Sequence, residues 1–159
     1  MATSDGNNNI NNAVNNDGNN KGQFRTYLER NLRYLTQLVA HAEPIPSPEI
    51  RSQALHTLSY ALGAPKSWHF TRDLLLQLAP KMEQAGHRYD WLPYLQHATA
   101  FSQQLGDWAS TAEFTLQQGI LHRLLSEFDL AQSSLHYSIA LCQQQQIDRN
   151  QARALNELA

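Results

Sequence analysis

The stretch Gly119–Gln146, GILHRLLSEFDLAQSSLHYSIALCQQQQ, decides the fold. Its first part continues an apolar stripe of Ala112, Leu116, Ile120, Leu121 and Leu124, and its second part carries Ala131, Leu135, Ile139 and Cys142. Both stripes have the three- and four-residue spacing that marks one face of a helix. The short polar break SEFD separates them, so the pair is expected to fold as an antiparallel helical hairpin. One hairpin cannot cover its own apolar faces, and this one therefore needs neighbours.

Working outward, the same grammar recurs. Phe24, Tyr27, Leu28, Leu32, Leu35, Leu38 and Val39 define a helix that ends before EPIPSP, where Pro44, Pro46 and Pro48 impose a stiff extended connector. Ser47 and Pro48 form an N-cap and first-turn pair for a second helix, about Pro48 to Leu62, carrying Ile50, Ala54, Leu55, Leu58 and Leu62. A third helix runs from after Ser67 to about Ala85 with Pro80 inside it, where a proline should kink the helix or replace a turn. Gly86 ends it, and Trp91, Leu92, Leu95, Ala98 and Phe101 form the inner face of a fourth. Asp107 is an N-cap candidate for the fifth helix. A seventh opens near Asp148 with Ala152, Leu155 and Leu158, which are expected to form an exposed apolar strip. No strand-like alternation appears, so the fold class is all-α.

The helices also repeat. AEFTLQQG at 112–119 recurs as ARALNELA at 152–159, and YLQHATAFSQQ at 94–104 recurs as SLHYSIALCQQ at 134–144, each forty residues on. A fixed period of this length signals an array of helical hairpins that share one continuous core.

Composition limits what such an array does. Charged residues make up 16% and the formal net charge is −2, so the electrostatic footprint of a nucleic-acid binder or a polybasic membrane anchor is missing. Cys142 is the only cysteine, which excludes an intramolecular disulfide and any multi-cysteine zinc site and fits a reducing cytoplasm. No apolar run reaches the roughly 18 to 20 residues of a membrane span, and MATSDGNNNINN lacks the parts of a signal peptide. Residues 1–22 are Asn-rich, with Ile10 and Val14 their only larger aliphatics, and read as a disordered tail. The remaining chain divides into residues 23–65, an N-terminal hairpin or cap, and 66–159, the repeats, of which the last is incomplete.

In these features the chain resembles the tetratricopeptide repeat family, in its variety of about forty residues. Gly119 stands at the small residue of the family's first helix, Phe128 at the aromatic that opens the second, and Ala131 at the small residue where the two helices cross. Thr115, His122, Ser126 and Gln143 replace the family's Trp, Tyr, Gly and Pro. The preceding hairpin keeps Gly86, Tyr89 (displaced by one residue) and Ala98. The wording LAPKMEQAGHRYDWLPYLQHATAFSQQLGDW is similar to the MalT-like arrays of bacterial signal-transduction ATPases and transcription activators. The resemblance implies a short right-handed α-solenoid whose concave groove is lined by first-helix side chains: Glu113, Leu116, Ile120, Arg123 and Leu124, then Arg153, Asn156 and Glu157. It implies a non-enzymatic module that binds a protein or peptide partner through that groove or at the array's end, with self-association through the open last helix as a further expectation. As an alternative it implies a sensor or autoinhibitory arm of a signalling ATPase or transcription regulator. Leu116 and Ile120 stand where carboxylate-clamping members have Lys and Asn, so the groove is expected to favour an apolar or helical segment with Arg123 as a peripheral contact.

Enzymatic readings are weaker. Seven histidines invite a metal or acid–base site, and His69 with Asp73, or His122 with Ser126, lie four apart, but no His-x-x-x-His or Cys-x-x-Cys spacing occurs. Cys142 sits on an apolar stripe, where a free cysteine is a small buried hydrophobe. No phosphate-binding Gly-Lys-Ser/Thr loop is present. No catalytic residue, metal or cofactor is expected. Trp68, Trp91 and Trp108 lie near helix starts and are expected to pack between helices with each indole N–H reaching a turn, or else to serve as an exposed aromatic anchor.

Overall fold

The computed structural model describes the backbone of residues 7–159 and the side chains of residues 20–159. Its described residues form seven α-helices and no strand: α1 Asn7–His41, α2 Pro48–Ala61, α3 Trp68–Gln84, α4 Arg88–Gln104, α5 Trp108–Leu124, α6 Phe128–Gln145 and α7 Asp148–Leu158. A single 3₁₀ turn, Pro65–Ser67, leads into α3. The tail expected over residues 1–22 lies, up to residue 19, outside the residues whose side chains are described. Asn20, Lys21 and Gly22 belong to α1, where Thr26 Oγ1 donates to the Gly22 carbonyl at 3.0 Å.

Helix starts keep the register of the repeat. Helices α2, α4 and α6 begin at 48, 88 and 128, and α3, α5 and α7 at 68, 108 and 148. The four turns from the end of α3 onward are alike. Gly86, Gly106, Ser126 and Gln146 all adopt positive φ, between 57° and 76°. The amide just after each donates five residues back: His87 to Met82, Asp107 to Ser102, Glu127 to His122 and Ile147 to Cys142, at 2.8–3.2 Å. This 6→1 bond and the left-handed residue together satisfy carbonyls that a helix end leaves open and reverse the chain. Glycine takes the left-handed region freely, whereas Ser126 and Gln146 carry its steric cost.

Within the second hairpin, α5 and α6 cross closely. A Cβ at Gly119 would lie 2.7 Å from Leu135 Cγ and Cδ2 and 3.4 Å from the Ala131 carbonyl oxygen, so the contact requires glycine. In the preceding hairpin the position forty residues before Ala131 is Trp91, and α3 and α4 touch much less extensively. A large indole at the crossing position accounts for that looser pairing. First helices also meet first helices: α1 packs on α3, α3 on α5 and α5 on α7, while α4 packs on α5 and α6 on α7. Leu32, Leu35, Leu58, Leu74, Leu75, Leu78 and Leu95 are fully or almost fully buried in the largest core cluster.

Three expectations change. Phe24 and Tyr27 are not core: they are 54% and 60% exposed because α1 runs beyond the elements that cover Leu28, Leu32 and Leu35. Pro80 lies inside a continuous α3 and replaces no turn. On α7, Ala152 and Leu155 are exposed, but Leu158 is half-buried against the cluster of Leu116, Leu135 and Ala154. The turn and crossing geometry gives two predictions. Ser126→Gly should raise unfolding stability by about 1 kcal/mol by relieving a left-handed non-glycine residue. Gly119→Val should lower it by about 2 kcal/mol or more through overpacking, with part of the loss recovered in the Leu135→Ala background. Urea denaturation of wild type, the three single variants and the Gly119→Val/Leu135→Ala double variant measures both effects.

Candidate functional site

The junction of the two repeat hairpins is organised by one carboxylate. Asp107 caps α5, its Oδ1 accepting from the Ser110 amide at 3.1 Å. Its Oδ2 accepts from the Trp68 indole Nε1 at 2.8 Å and from Ser110 Oγ at 2.6 Å. The Trp68 ring packs edge-on against Phe101 and Phe114, at 5.5 and 6.1 Å between centroids. Burial alone would raise the Asp107 carboxyl, but hydrogen bonds from Ser110, Trp68 and the Ser110 amide, with the charge of Arg72, hold it below the ordinary carboxylate range.

Forty residues on, the same construction is incomplete. Ile147 replaces Asp107, Leu141 replaces Phe101 and Ala154 replaces Phe114, so Trp108, the counterpart of Trp68, finds no carboxylate or ring of this kind and is 40% exposed. The expectation that each indole N–H reaches a turn therefore holds for Trp68 alone. Trp91 is buried and stacks on Tyr94 at 5.8 Å, but its Nε1 has no partner among the described residues.

Between α3, α5 and α7 lies a groove of about 810 Å³. Arg72, Leu76, Pro80 and Glu83 contribute to it from α3, Ser110, Glu113, Gln117 and Ile120 from α5, and Arg149, Asn150 and Arg153 from α7; Trp91 and Leu95 of α4 also line it. Helix periodicity brings Glu113, Gln117 and Ile120 to one side of α5 at intervals of four and three. Arg153 Nη1 reaches both Glu113 oxygens, at 3.0 and 2.9 Å, and Gln117 Nε2 donates to Glu113 Oε1 at 2.8 Å. Arg149 is exposed and makes no hydrogen bond or ion pair among the described residues.

The eight residues expected to line the groove divide. Glu113, Ile120 and Arg153 do line it. Leu116 does not: it is fully buried with Leu135 and Ala154, because α7 lies over that face of α5. Arg123 and Glu157 close on each other in an ion pair at 2.7 Å, while Leu124 is half-buried and Asn156 exposed, and none of these four lines the groove. The α3 residues were missing from the expected set although the forty-residue period points to them: Pro80 is the counterpart of Ile120 and Gln77, also in the lining, of Gln117.

Cys142, His122 and His69 each make local contacts. Burial pushes the Cys142 thiol above its ordinary value, leaving it protonated and a poor nucleophile. His122 is buried and its Nδ1 lies 2.6 Å from Glu127 Oε2, bracing the α5–α6 turn. His69 sits against the Phe70 ring, 3.7 Å between centroids. Among the described residues no group of three or more His, Cys, Asp or Glu side chains could hold a metal ion, and no helix is long and apolar enough to cross a membrane. Comparison with family models, with characterised proteins and with solved structures finds no match to the chain.

The Asp107 junction makes a pH prediction. A carboxyl held below its unfolded value stabilises the fold above the ordinary Asp range near pH 3.9, and that contribution disappears as pH falls through the lower folded value. Asp107→Ala should cost about 2 kcal/mol at pH 7 by removing a cap and an indole acceptor. Acid titration of stability should show a smaller difference between Asp107→Ala and wild type below that range than at pH 7.

Proposed function

We propose that the chain is a non-enzymatic binding module of the tetratricopeptide-like kind, which takes a segment of another polypeptide in the groove between α3, α5 and α7. One observation carries the reading: three successive first helices, starting exactly one period apart, present a single groove of about 810 Å³ with both apolar and polar walls. A peptide gains from such a surface by placing aliphatic side chains against Leu76, Pro80 and Ile120 while its polar groups meet Arg149 and Asn150. The Arg153–Glu113 pair fixes α7 against α5 and keeps the walls in place before a ligand arrives, which lowers the ordering cost of binding.

Peptides selected from a random display library against the full chain test the reading. Those that bind wild type should lose at least tenfold in affinity to Ile120→Glu and to Arg149→Glu, with the helical circular dichroism of both variants preserved. Selected peptides that bind both variants as tightly as wild type would remove the groove from the account.

A further inference from the structure

We infer that a second docking site, separate from that groove, lies in the cleft between the beginning of the described part of α1 and the Pro65–Ser67 turn, and that it takes a protein segment in which an apolar side chain is flanked by carboxylates. Phe24 continues the helical stripe of Leu28, Leu32, Leu35 and Val39 one turn further towards the N-terminus. The rest of that stripe is buried, but Phe24 is exposed. It shares a cleft of about 900 Å³ with Ala64 and Pro65, whose lining is mainly apolar. Phe24 is thus a core-register side chain with an apolar neighbourhood that no described residue fills, which is the arrangement of an anchor pocket.

Charge says what the anchor must carry beside it. Lys21, Arg25 and Lys66 border the cleft, and Arg30 and Arg33 follow on α1, Arg33 lying 4.9 Å from the centroid of the Phe70 ring. Against these cations Glu29 is the one acid among the described residues 20–33 and 64–67, in a chain whose formal net charge is −2. Glu29 meets Arg25 at 3.7 Å and accepts from Ser67 Oγ at 3.2 Å, so it is directed at the turn and neutralises the rim only in part. A half-exposed ion pair of that length contributes little, and Arg25 can exchange it for a bidentate carboxylate. Lys66 is exposed and makes no ion pair among the described residues. Arg30 lies 5.9 Å from the centroid of the exposed Tyr27 ring, extending the basic and aromatic character along α1. Carboxylates on each side of an aliphatic or aromatic residue would meet Arg25 and Lys66 while the apolar group packs on Phe24 and Pro65. Negative overall charge weighs against nucleic acid, whose binding depends on steering by the whole protein's field.

Fluorescence anisotropy with the full chain and four probes tests the inference: a fluorescein-labelled Glu-Glu-Leu-Leu-Glu-Glu peptide, its Gln counterpart, a short oligothymidylate, and vesicles of phosphatidylserine in phosphatidylcholine. The acidic peptide should bind, bind at least tenfold more weakly to Lys66→Glu and to Phe24→Ser, and weaken as salt is raised; the Gln peptide should bind at least tenfold more weakly to wild type. Ile120→Glu should leave acidic-peptide binding unchanged, which separates this site from the groove. Phe24 and Lys66 are exposed, and unchanged circular dichroism of both variants will show that the fold is kept. Absence of acidic-peptide binding, binding indifferent to both variants, or tighter binding of the oligonucleotide or the vesicles through the same residues would overturn the inference.

Discussion

The arrangement of the helices from α3 to α7 depends on a turn repeated every twenty residues. A left-handed residue at 86, 106, 126 and 146 is followed each time by an amide that reaches five residues back. Because these turns fall twenty residues apart, the helices between them have nearly one length, 17 or 18 residues, and like helices start forty residues apart. That register lets Arg153 meet Glu113 and the Trp68 indole meet Asp107, contacts that join neighbouring first helices at separations of 40 and 39 residues. The groove is a consequence of the turns before it is a consequence of any residue that lines it.

Variation within the repeat then differentiates the surface. Gly119 and Ala131 let α5 and α6 close on each other, whereas Ala79 and Trp91 at the matching positions give a looser α3–α4 pair and put an indole and Leu95 of a second helix into the groove wall. Asp107 completes an aromatic junction that Ile147 cannot, and Trp108 is left partly exposed as a result. A perfectly regular array would have equal grooves at every step. Here the irregular positions bring polar and apolar side chains together between α3, α5 and α7.

Much of the fold was legible in the sequence because helix periodicity and turn residues are local signals. The breaks at Gly86 and Gly106, the Ser47 and Asp107 caps and the forty-residue repeat each needed only a short window. Two of the four left-handed positions, Ser126 and Gln146, were not legible as such, since neither residue advertises positive φ and the hydrogen bond that closes the helix end accompanies it at both. The site was read less well. Glu113, Ile120 and Arg153 follow from first-helix register, but whether Leu116 faces the groove or the core depends on where α7 lies, a non-local fact. Phe24 failed for the same reason: its periodicity matches the core, and only the reach of neighbouring elements decides that it stays uncovered.

Hydrogen exchange of backbone amides, read with and without a peptide selected for binding the full chain, is the most direct test of the claim that successive first helices form the binding surface. The account predicts slowed exchange concentrated in α3, α5 and α7, with α2 and α6 unchanged. Slowing confined to α2, α4 and α6 would place the binding surface on the opposite helices and contradict it.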